Sequence, residues 1–453
     1  MIAVIILIFI IGYITIVFEH PLKLDKTVPA LIMGSLMWAV VSIGFHYGYL
    51  NVVDIHDNVF SLTGTMDQTS YEANEEGFVG ILIHHVGKIA EILVFLIGAM
   101  TIVELIDLHR GFDVIKEWIG TRNSKKLLWI TGIIAFFLSA IIDNLTTTIV
   151  LISLLRKLIR DRDERMWFVC LIVTAANAGG AWSPIGDVTT TMLWIGKKVS
   201  SGQLIEYIVI PAIVCFVVPF FLASFNKVFQ GEIGDGETEK ETFNKKLLSS
   251  KTMLYLGLGM IIFVPIFKTI THLPPYIGMM LSLGVVWAVS EYIHPEEDFD
   301  EESRHKYSPH KALSRIEISS ILFFLGILLA IAAFETAVIS DASILRTGAQ
   351  SLSEAIPNTN VIIILLGFLS AIIDNVPLVA AAMGMYENPP DSHLWHFIAY
   401  TAGTGGSILI IGSAAGVAAM GMEKIDFIWY FKKIAWLSAV GYLAGCAVFL
   451  LLA

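Results

Sequence analysis

A chain of 453 residues with 56% hydrophobic side chains and only 15% charged ones, at a mean hydropathy of +0.74, excludes an ordinary soluble domain and reads as a polytopic membrane protein. The formal charge of -11 gives no footing for a nucleic-acid partner. Cys170, Cys215 and Cys446 lie scattered inside apolar runs, which excludes a disulfide framework or a cysteine metal cluster and leaves them as core packing.

A helix needs about 20 apolar residues to cross roughly 30 Å of hydrocarbon. The first run, Met1 to Phe18, has neither a positive n-region nor a small-residue cleavage site, so a retained transmembrane helix is expected. A second runs from Val28 to Tyr47. Residues 51–80 hold six acids and no Lys or Arg, the pattern of a long loop outside the bilayer. A third span covers Gly80 to Leu108. Behind it Phe112, Ile115, Trp118 and Ile119 share one helical face of residues 111–120, which predicts a short interfacial piece.

Leu127 to Leu158 is too long for one crossing, too short for two, and interrupted by Asp143-Asn144-Leu145-Thr146-Thr147-Thr148. Two half-helices meeting at a polar tip, a re-entrant hairpin, fit best, because irregular backbone at that depth is tolerated only beside protein or water. Met166 to Ile195 carries Asn177, Gly179, Gly180, Ser183, Pro184, Gly186, Asp187, Thr189 and Thr190, too many breakers and hydroxyls for a continuous helix. A helix unwound near its middle is expected, and such breaks expose carbonyls and helix ends to ions.

Spans follow at Leu204 to Phe225, Met253 to Ile270, Tyr276 to Ile293 and Ile316 to Ile339, and then the pattern returns. Val361 to Met385 repeats the hairpin, with Asp374-Asn375-Val376-Pro377 at its tip. Leu394 to Met420 repeats the broken helix, with Thr401, Thr404, Gly405, Gly406, Ser407, Gly412, Ser413 and Gly416. Ile425 to Leu452 is the last span. Ser-Ala-Ile-Ile-Asp-Asn occurs at 139–144 and again at 370–375; the two aspartates are 231 residues apart and the two Gly-Gly pairs 226 apart. Glu104 and Glu335 each stand 39 residues before their aspartate. Matching neighbours at nearly one offset mark a duplication.

The expected architecture is therefore all-α, with about 11 transmembrane helices, two re-entrant hairpins in inverted repeats and two broken helices. Its parts are residues 1–80, helices and an acidic outer loop; 80–226, the first repeat, with hairpin 127–158 and broken helix 166–196; 227–315, connecting helices and loops; and 316–453, the second repeat, with hairpin 358–388 and broken helix 394–421. Five full spans between the hairpins, an odd number, invert the second copy. With both termini outside, the cytoplasmic segments hold 24 of the 29 Lys and Arg, leaving Lys88, Lys197, Lys198, Lys268 and Arg346 on the other side.

The paired hairpins, the Asp-Asn-x-Thr-Thr-Thr string, the Asn-Ala-Gly-Gly-Ala-Trp-Ser-Pro-Ile-Gly-Asp string at 177–187 and the Gly/Ser-rich 401–416 resemble the NhaD-type sodium/proton antiporters of the ion transporter superfamily, from about residue 80 onward. The resemblance implies a non-enzymatic carrier in the cell (inner) membrane that exchanges Na+ or Li+ for H+ electrogenically, with no cofactor. It further implies a homodimer with a fixed scaffold and a moving, hairpin-containing transport unit.

The residue chemistry agrees. Na+ is a hard cation that wants several oxygen ligands, and Asp143, Asn144, Thr146, Thr147, Asn177, Ser183, Asp187, Thr189 and Thr190 offer them with no soft donor among them. The second copy adds Ser370, Asn375, Thr401, Thr404 and Ser407. Desolvation favours the protonated form of a buried carboxylate and a bound cation favours the ionised form, so one group holds either ion in turn. Asp143 and Asp374 are the expected coupling carboxylates and Asp187 a third, with Na+ expected at Asp143, Asn144, Asp187, Asp374 and Asn375.

Plainer roles stand beside these. Asn144 and Asn375 can cap the half-helices, the Thr146 to Thr148 hydroxyls can bond back to the helix, and Asp187 can pair with Lys197 or Lys198. Glu104, beside Asp107 and His109, suits a solvated membrane end, and His84-His85 an interface. A coupled anion transporter shares the architecture, but its substrate would meet carboxylates without an intramembrane Arg or Lys. An intramembrane aspartyl protease would need a Tyr-Asp and Gly-x-Gly-Asp pair, and a membrane zinc enzyme a His-Glu-x-x-His motif; neither occurs.

Overall fold

The computed structural model describes residues 1–54, 58–62, 68–116, 119, 121–233, 247–295, 303–339 and 342–452. In chain order the helices begin with α1 (Ile2–Val17), α2 (Glu19–Leu22), α3 (Thr27–His46), α4 (Gln68–Leu108) and α5 (Asp113–Lys116). The first copy supplies α6 (Ser124–Ile142), α7 (Asn144–Leu158), α8 (Arg162–Ala181) and α9 (Val188–Ile195). Then come α10 (Ser201–Ala223), α11 (Ser250–Thr271), α12 (Pro275–Tyr292), α13 (Pro309–Leu313), α14 (Ile318–Thr336) and α15 (Ile344–Ala355). The second copy supplies α16 (Thr359–Ser370), α17 (Asn375–Met385), α18 (His393–Gly405) and α19 (Ala414–Glu423), followed by α20 (Phe427–Lys433) and α21 (Ala435–Leu452). Extended structure among the described residues is confined to short antiparallel pairs, Val52–Val53 with Val59–Phe60 and Val338–Ile339 with Ala342–Ser343.

The chain is an all-α polytopic membrane protein. Seven described helices are long and apolar enough to cross a bilayer alone, or eight if the bent pair α15–α16 is one span. The other expected spans, out of about 11, fall on shorter, broken or more polar helices, such as α1 and the pairs α8–α9 and α18–α19. Exposed apolar rows, Leu7, Ile10, Ile11 and Ile14 on α1 and Trp436, Val440 and Leu443 on α21, suit lipid contact.

Three expectations need correction. The acidic stretch is not loop throughout, because α4 starts at Gln68 and runs 41 residues, about twice the length a bilayer requires. Its first turns carry Gln68, Glu72, Ala73, Glu75 and Glu76, good helix formers that hydropathy alone passes over. The piece at 111–120 does not turn its apolar face outward as an interfacial helix would: among its described residues α5 is the helical part, and Phe112, Ile115 and Ile119 are buried, while Trp118 lies outside the described residues. Helix α15 was not expected at all; Ile344, Leu345 and Leu352 among polar residues make it amphipathic and too polar for a span reading.

The chain forms two compact units that do not follow chain order. The first comprises Met1–Val94, Glu317–Ile362 and Val376–Asn388. Its centre is the packing of α3 on α14, where small residues let the backbones touch: a Cβ on Gly34 would stand 2.5 Å from Gly326 O, and one on Gly326 would meet Ala30 equally closely. Thr27 and Trp38 add hydrogen bonds to Ser319 O and Leu329 O at 3.0 and 2.9 Å.

The second unit, Phe95–Ile316, Ile363–Asn375 and Pro389–Ala453, holds both Asp-Asn tips and both broken helices. Here several packing contacts recur in both copies. Ser139 donates to Ala176 O at 2.6 Å, and Ser370 to Ala402 O at 2.9 Å. A Cβ on Gly179 would overlap Phe136 O, and one on Gly405 would overlap Gly367 O. The Gly180–Gly186 approach recurs as Gly406–Gly412. Each glycine is where a helix presses on backbone, so the Gly-Gly pairs are packing devices, not ion ligands.

Candidate ion-binding site

The first tip is made by one residue in an unusual conformation. Asp143 stands at φ 77°, ψ 161°, a region that residues with a Cβ rarely occupy, and there the chain breaks between α6 and α7. Its carboxylate caps α7, accepting from the amide of Thr146 at 2.8 Å and from the Thr146 hydroxyl at 2.9 Å. The second tip breaks over 371–374, between α16 and α17, and Asp374 is not among the residues with positive φ. The duplicated hexapeptide thus yields one strained tip and one relaxed one. Both aspartates are partly exposed, whereas Asn144 and Asn375 beside them are buried.

The broken helices come apart as the glycines and Pro184 require. Helix α8 ends at Ala181, and α9 restarts with Asp187 as its cap, the carboxylate accepting from the amide of Thr189 at 3.3 Å. In the second copy Ser413 caps α19, accepting from Gly416 at 3.2 Å. Thr190 and Thr191 turn their hydroxyls onto Asp187 O and Pro184 O, at 2.9 and 3.0 Å, and hold the break in shape.

The two copies then meet. The amide of Asn375, on the second tip, donates to the Asp187 carboxylate at 3.0 Å. Asn144, on the first tip, donates to Asn177 Oδ1 at 2.9 Å, and Asn177 donates onward to Ser413 at 3.0 Å. Each asparagine therefore reaches the cap of the opposite copy's short helix, directly where that cap is Asp187 and through Asn177 where it is Ser413. The difference is matched in size: Gly403 occupies Asn177's place in the second copy, and a Cβ there would stand 3.5 Å from Asp187 Oδ2. Asp187 is buried and within electrostatic reach of both Asp143 and Asp374.

The expected neutral ligands divide. Thr147 is fully buried with no hydrogen-bond partner for its hydroxyl, and so is Thr148. Ser183 lies buried in the α8–α9 break, its oxygen 3.4 Å from the amide of Ile185, and Thr189 is buried beside Asp187. Thr401 and Thr404 donate back to Ile398 O and Tyr400 O, and Ser407 to Thr404 O, so these three hydroxyls first serve α18. Ser370 is spent on Ala402 O. Ser413, not among the expected ligands, is marked as a cap in the sequence only by standing as far after Gly406 as Asp187 stands after Gly180. Asp187 is bonded to Asn375 and makes no described ion pair with Lys197 or Lys198.

Among the described residues no three His, Cys, Asp or Glu side chains gather closely enough to hold one metal ion. What the arrangement offers is amide, hydroxyl and carboxylate oxygen spread along two crossed networks, suited to a weakly held hard cation in transit.

A family model described as citrate transporter matches residues 13–405. The chain is 44% identical over 447 residues, 98% of its length and 71% of the relative's, to Sodium/proton antiporter 1 of Arabidopsis thaliana. It is 30% identical to the Na(+)/H(+) antiporter NhaD of Alkalimonas amylolytica, covering 98% of this chain and 89% of that one. Against the Na(+)/H(+) antiporter NhaD of Vibrio cholerae the figures are 31%, 98% and 91%. With the citrate-transporter model covering residues 13–405 and these relatives 30–44% identical over 98% of the chain, the chain is a transporter and no enzyme, a member of the NhaD-type antiporter family within the group that the citrate-transporter model describes.

Proposed function

We propose that this protein exchanges Na+ or Li+ for H+ across the cell membrane, with Asp143, Asp374 and Asp187 alternately holding cation and proton. The observation that carries the reading is the contact of Asn375 with Asp187 inside an otherwise buried network that also contains Asn144, Asn177 and Ser413. The names of the NhaD relatives supply the ion pair. A cation entering between the tips takes oxygens from Asn144, Asn375, Thr147 and the carboxylates, and each carboxylate that binds it must be ionised. A proton arriving from the other side neutralises the same group and releases the cation. Asp143 and Asp187 also cap helices, so in the ionised state they keep the amides of Thr146 and Thr189 as partners. The skew of Lys and Arg supports opposite orientation of the two hairpins, and the family resemblance supports a homodimer and the inner membrane of the cell.

The test is an everted membrane vesicle carrying an imposed proton gradient, read with a pH-sensitive dye as NaCl or LiCl is added. The parent is expected to dissipate the gradient, while Asp143→Asn, Asp374→Asn and Asp187→Asn insert but do not. Silence of the parent toward both cations at neutral and alkaline pH sinks the reading. The match to a citrate-transporter model makes anion transport the second reading. It predicts uptake of a labelled carboxylate, which the three clustered acids disfavour by charge repulsion.

A further inference from the structure

We infer that Glu423, with Arg156 and Arg165, positions the cation site from a distance by clamping the far ends of α7 and α19, an inference that rests on the exchange reading above. These two helices run side by side in parallel. Their first residues are joined through Asn144, Asn177 and Ser413, and their last turns through the Arg156–Glu423 pair. The clamp is densely built. Arg156 Nε donates to Glu423 Oε1 at 2.7 Å and its Nη2 to Met422 O. Arg165 holds Oε2 through Nε at 3.0 Å and Nη2 at 2.9 Å, and donates from Nη1 to Ile159 O at 2.7 Å. Arg162 completes it with bonds to Glu423 O at 3.1 Å and Lys424 O at 2.7 Å.

The chemistry exceeds what ending a helix requires. Arg156 and Arg162 satisfy carbonyls that the last turn of α19 leaves open, which a solvated lysine or water would also do. The Glu423 carboxylate is only 2% exposed, and a charge so desolvated persists only with close partners. A buried carboxylate gripped by two arginines has few alternative geometries, so it fixes the axial register of α7 against α19. Each helix is short and stiff, 15 and 10 residues, and a shift at the clamped end appears undiminished at the caps Asp143 and Ser413. The second copy joins the end of α9 to the start of α18, the counterpart of the Arg165 contact between α19 and α8, in another way. There Asp391 stands where Arg165 does and Lys197 where Glu423 does, with the charges exchanged, and the connection includes Asp391 N to Lys198 O at 2.8 Å and Ser200 N to the Asp391 carboxylate at 2.6 Å.

The experiment measures half-saturating Na+ and the pH profile of exchange in everted vesicles, normalised to inserted protein, for the parent, Glu423→Gln, Arg156→Gln, their double variant and Glu423→Asp. Half-saturating Na+ is expected to rise about tenfold in Glu423→Gln and in Arg156→Gln, and no further in the double, with the pH profile displaced in all three; Glu423→Asp recovers most of the loss. Should Glu423→Gln fail to insert, Arg156→Gln, which leaves Arg165 to neutralise Glu423, decides by the same shift. Variants that lose only amount or maximal rate, at parental half-saturation and pH profile, overturn the positioning role. A parent without cation-dependent exchange overturns the exchange reading and takes this inference with it.

Discussion

Asn375 and Asp187, 188 positions apart in the chain and drawn from different copies of the duplication, share a hydrogen bond of 3.0 Å. That bond makes the site a joint property of both halves. Removing the amide with Asn375→Ala leaves Asp187 one donor short in a buried setting, a loss typically worth about 1–3 kcal/mol. Half-saturating Na+ should rise on the order of tenfold, while Asn144→Ala should produce a similar shift by detaching Asn177 from the first tip. Dye-coupled exchange in vesicles reads both. Unchanged half-saturation in Asn375→Ala would remove the network from the ion path.

Most of the fold was legible because a membrane imposes it: apolar runs of the right length, and breaks where Gly, Pro and hydroxyl residues collect. The tips and the duplicated glycines could be read as well, since a hexapeptide that recurs with its neighbours leaves little room for chance. Two things could not. Helix α15 and the start of α4 are polar enough to look like loop, and their helicity rests on propensity and on an amphipathic face. The crossing of the networks was hidden because Asn144 reaches Ser413 through Asn177 whereas Asn375 reaches Asp187 directly; matching the two copies residue by residue sets Asp187 against Ser413 and conceals that each serves the other copy's tip.

Close helix packing gives a prediction independent of transport. Gly179→Ala drives a methyl group into Phe136 O, where neither backbone can yield cheaply, and overpacking of this kind costs about 1–3 kcal/mol. Gly202→Ala in α10, with nothing within 4 Å, serves as the control and should be neutral or slightly stabilising. Thermal unfolding of detergent-solubilised protein separates them; equal midpoints for the two variants would contradict the packing described.

His109, in the turn after α4, ties three segments: its ring nitrogens lie 2.8 Å from Ser249 Oγ and 3.0 Å from Ser290 Oγ, and its carbonyl accepts from Ser250 at 2.8 Å. Burial holds its pKa down to about 4, against an ordinary 6.5, with a bond to the Tyr307 backbone opposing. The folded state therefore binds this proton later than the unfolded chain does. Its contribution is intact above pH 6.5 and is lost as pH falls toward 4, a swing on the order of 3 kcal/mol. Unfolding midpoints of the parent should drop over that window more steeply than those of His109→Gln; parallel curves would show that His109 takes up its proton equally readily in the folded and unfolded states.

The backbone at Asp143 separates stability from function at the first tip. At φ 77° and ψ 161° any residue with a Cβ is strained, by roughly 1–3 kcal/mol, and Asp143→Gly relieves that strain. It also removes the cap on Thr146, worth about 1 kcal/mol, so the net change in stability should be small or favourable. Asp374 carries no such backbone, and Asp374→Gly should only destabilise. Asp143→Asn keeps a side-chain oxygen for the cap and should melt with the parent. All three variants should nonetheless lose cation-dependent exchange, because each removes a carboxylate. A residue kept in a costly conformation that a glycine would relieve is retained for what its side chain does. If Asp143→Gly exchanged Na+ for H+ at the parental rate, the strained aspartate would be a hinge and Asp187 and Asp374 would have to carry the coupling.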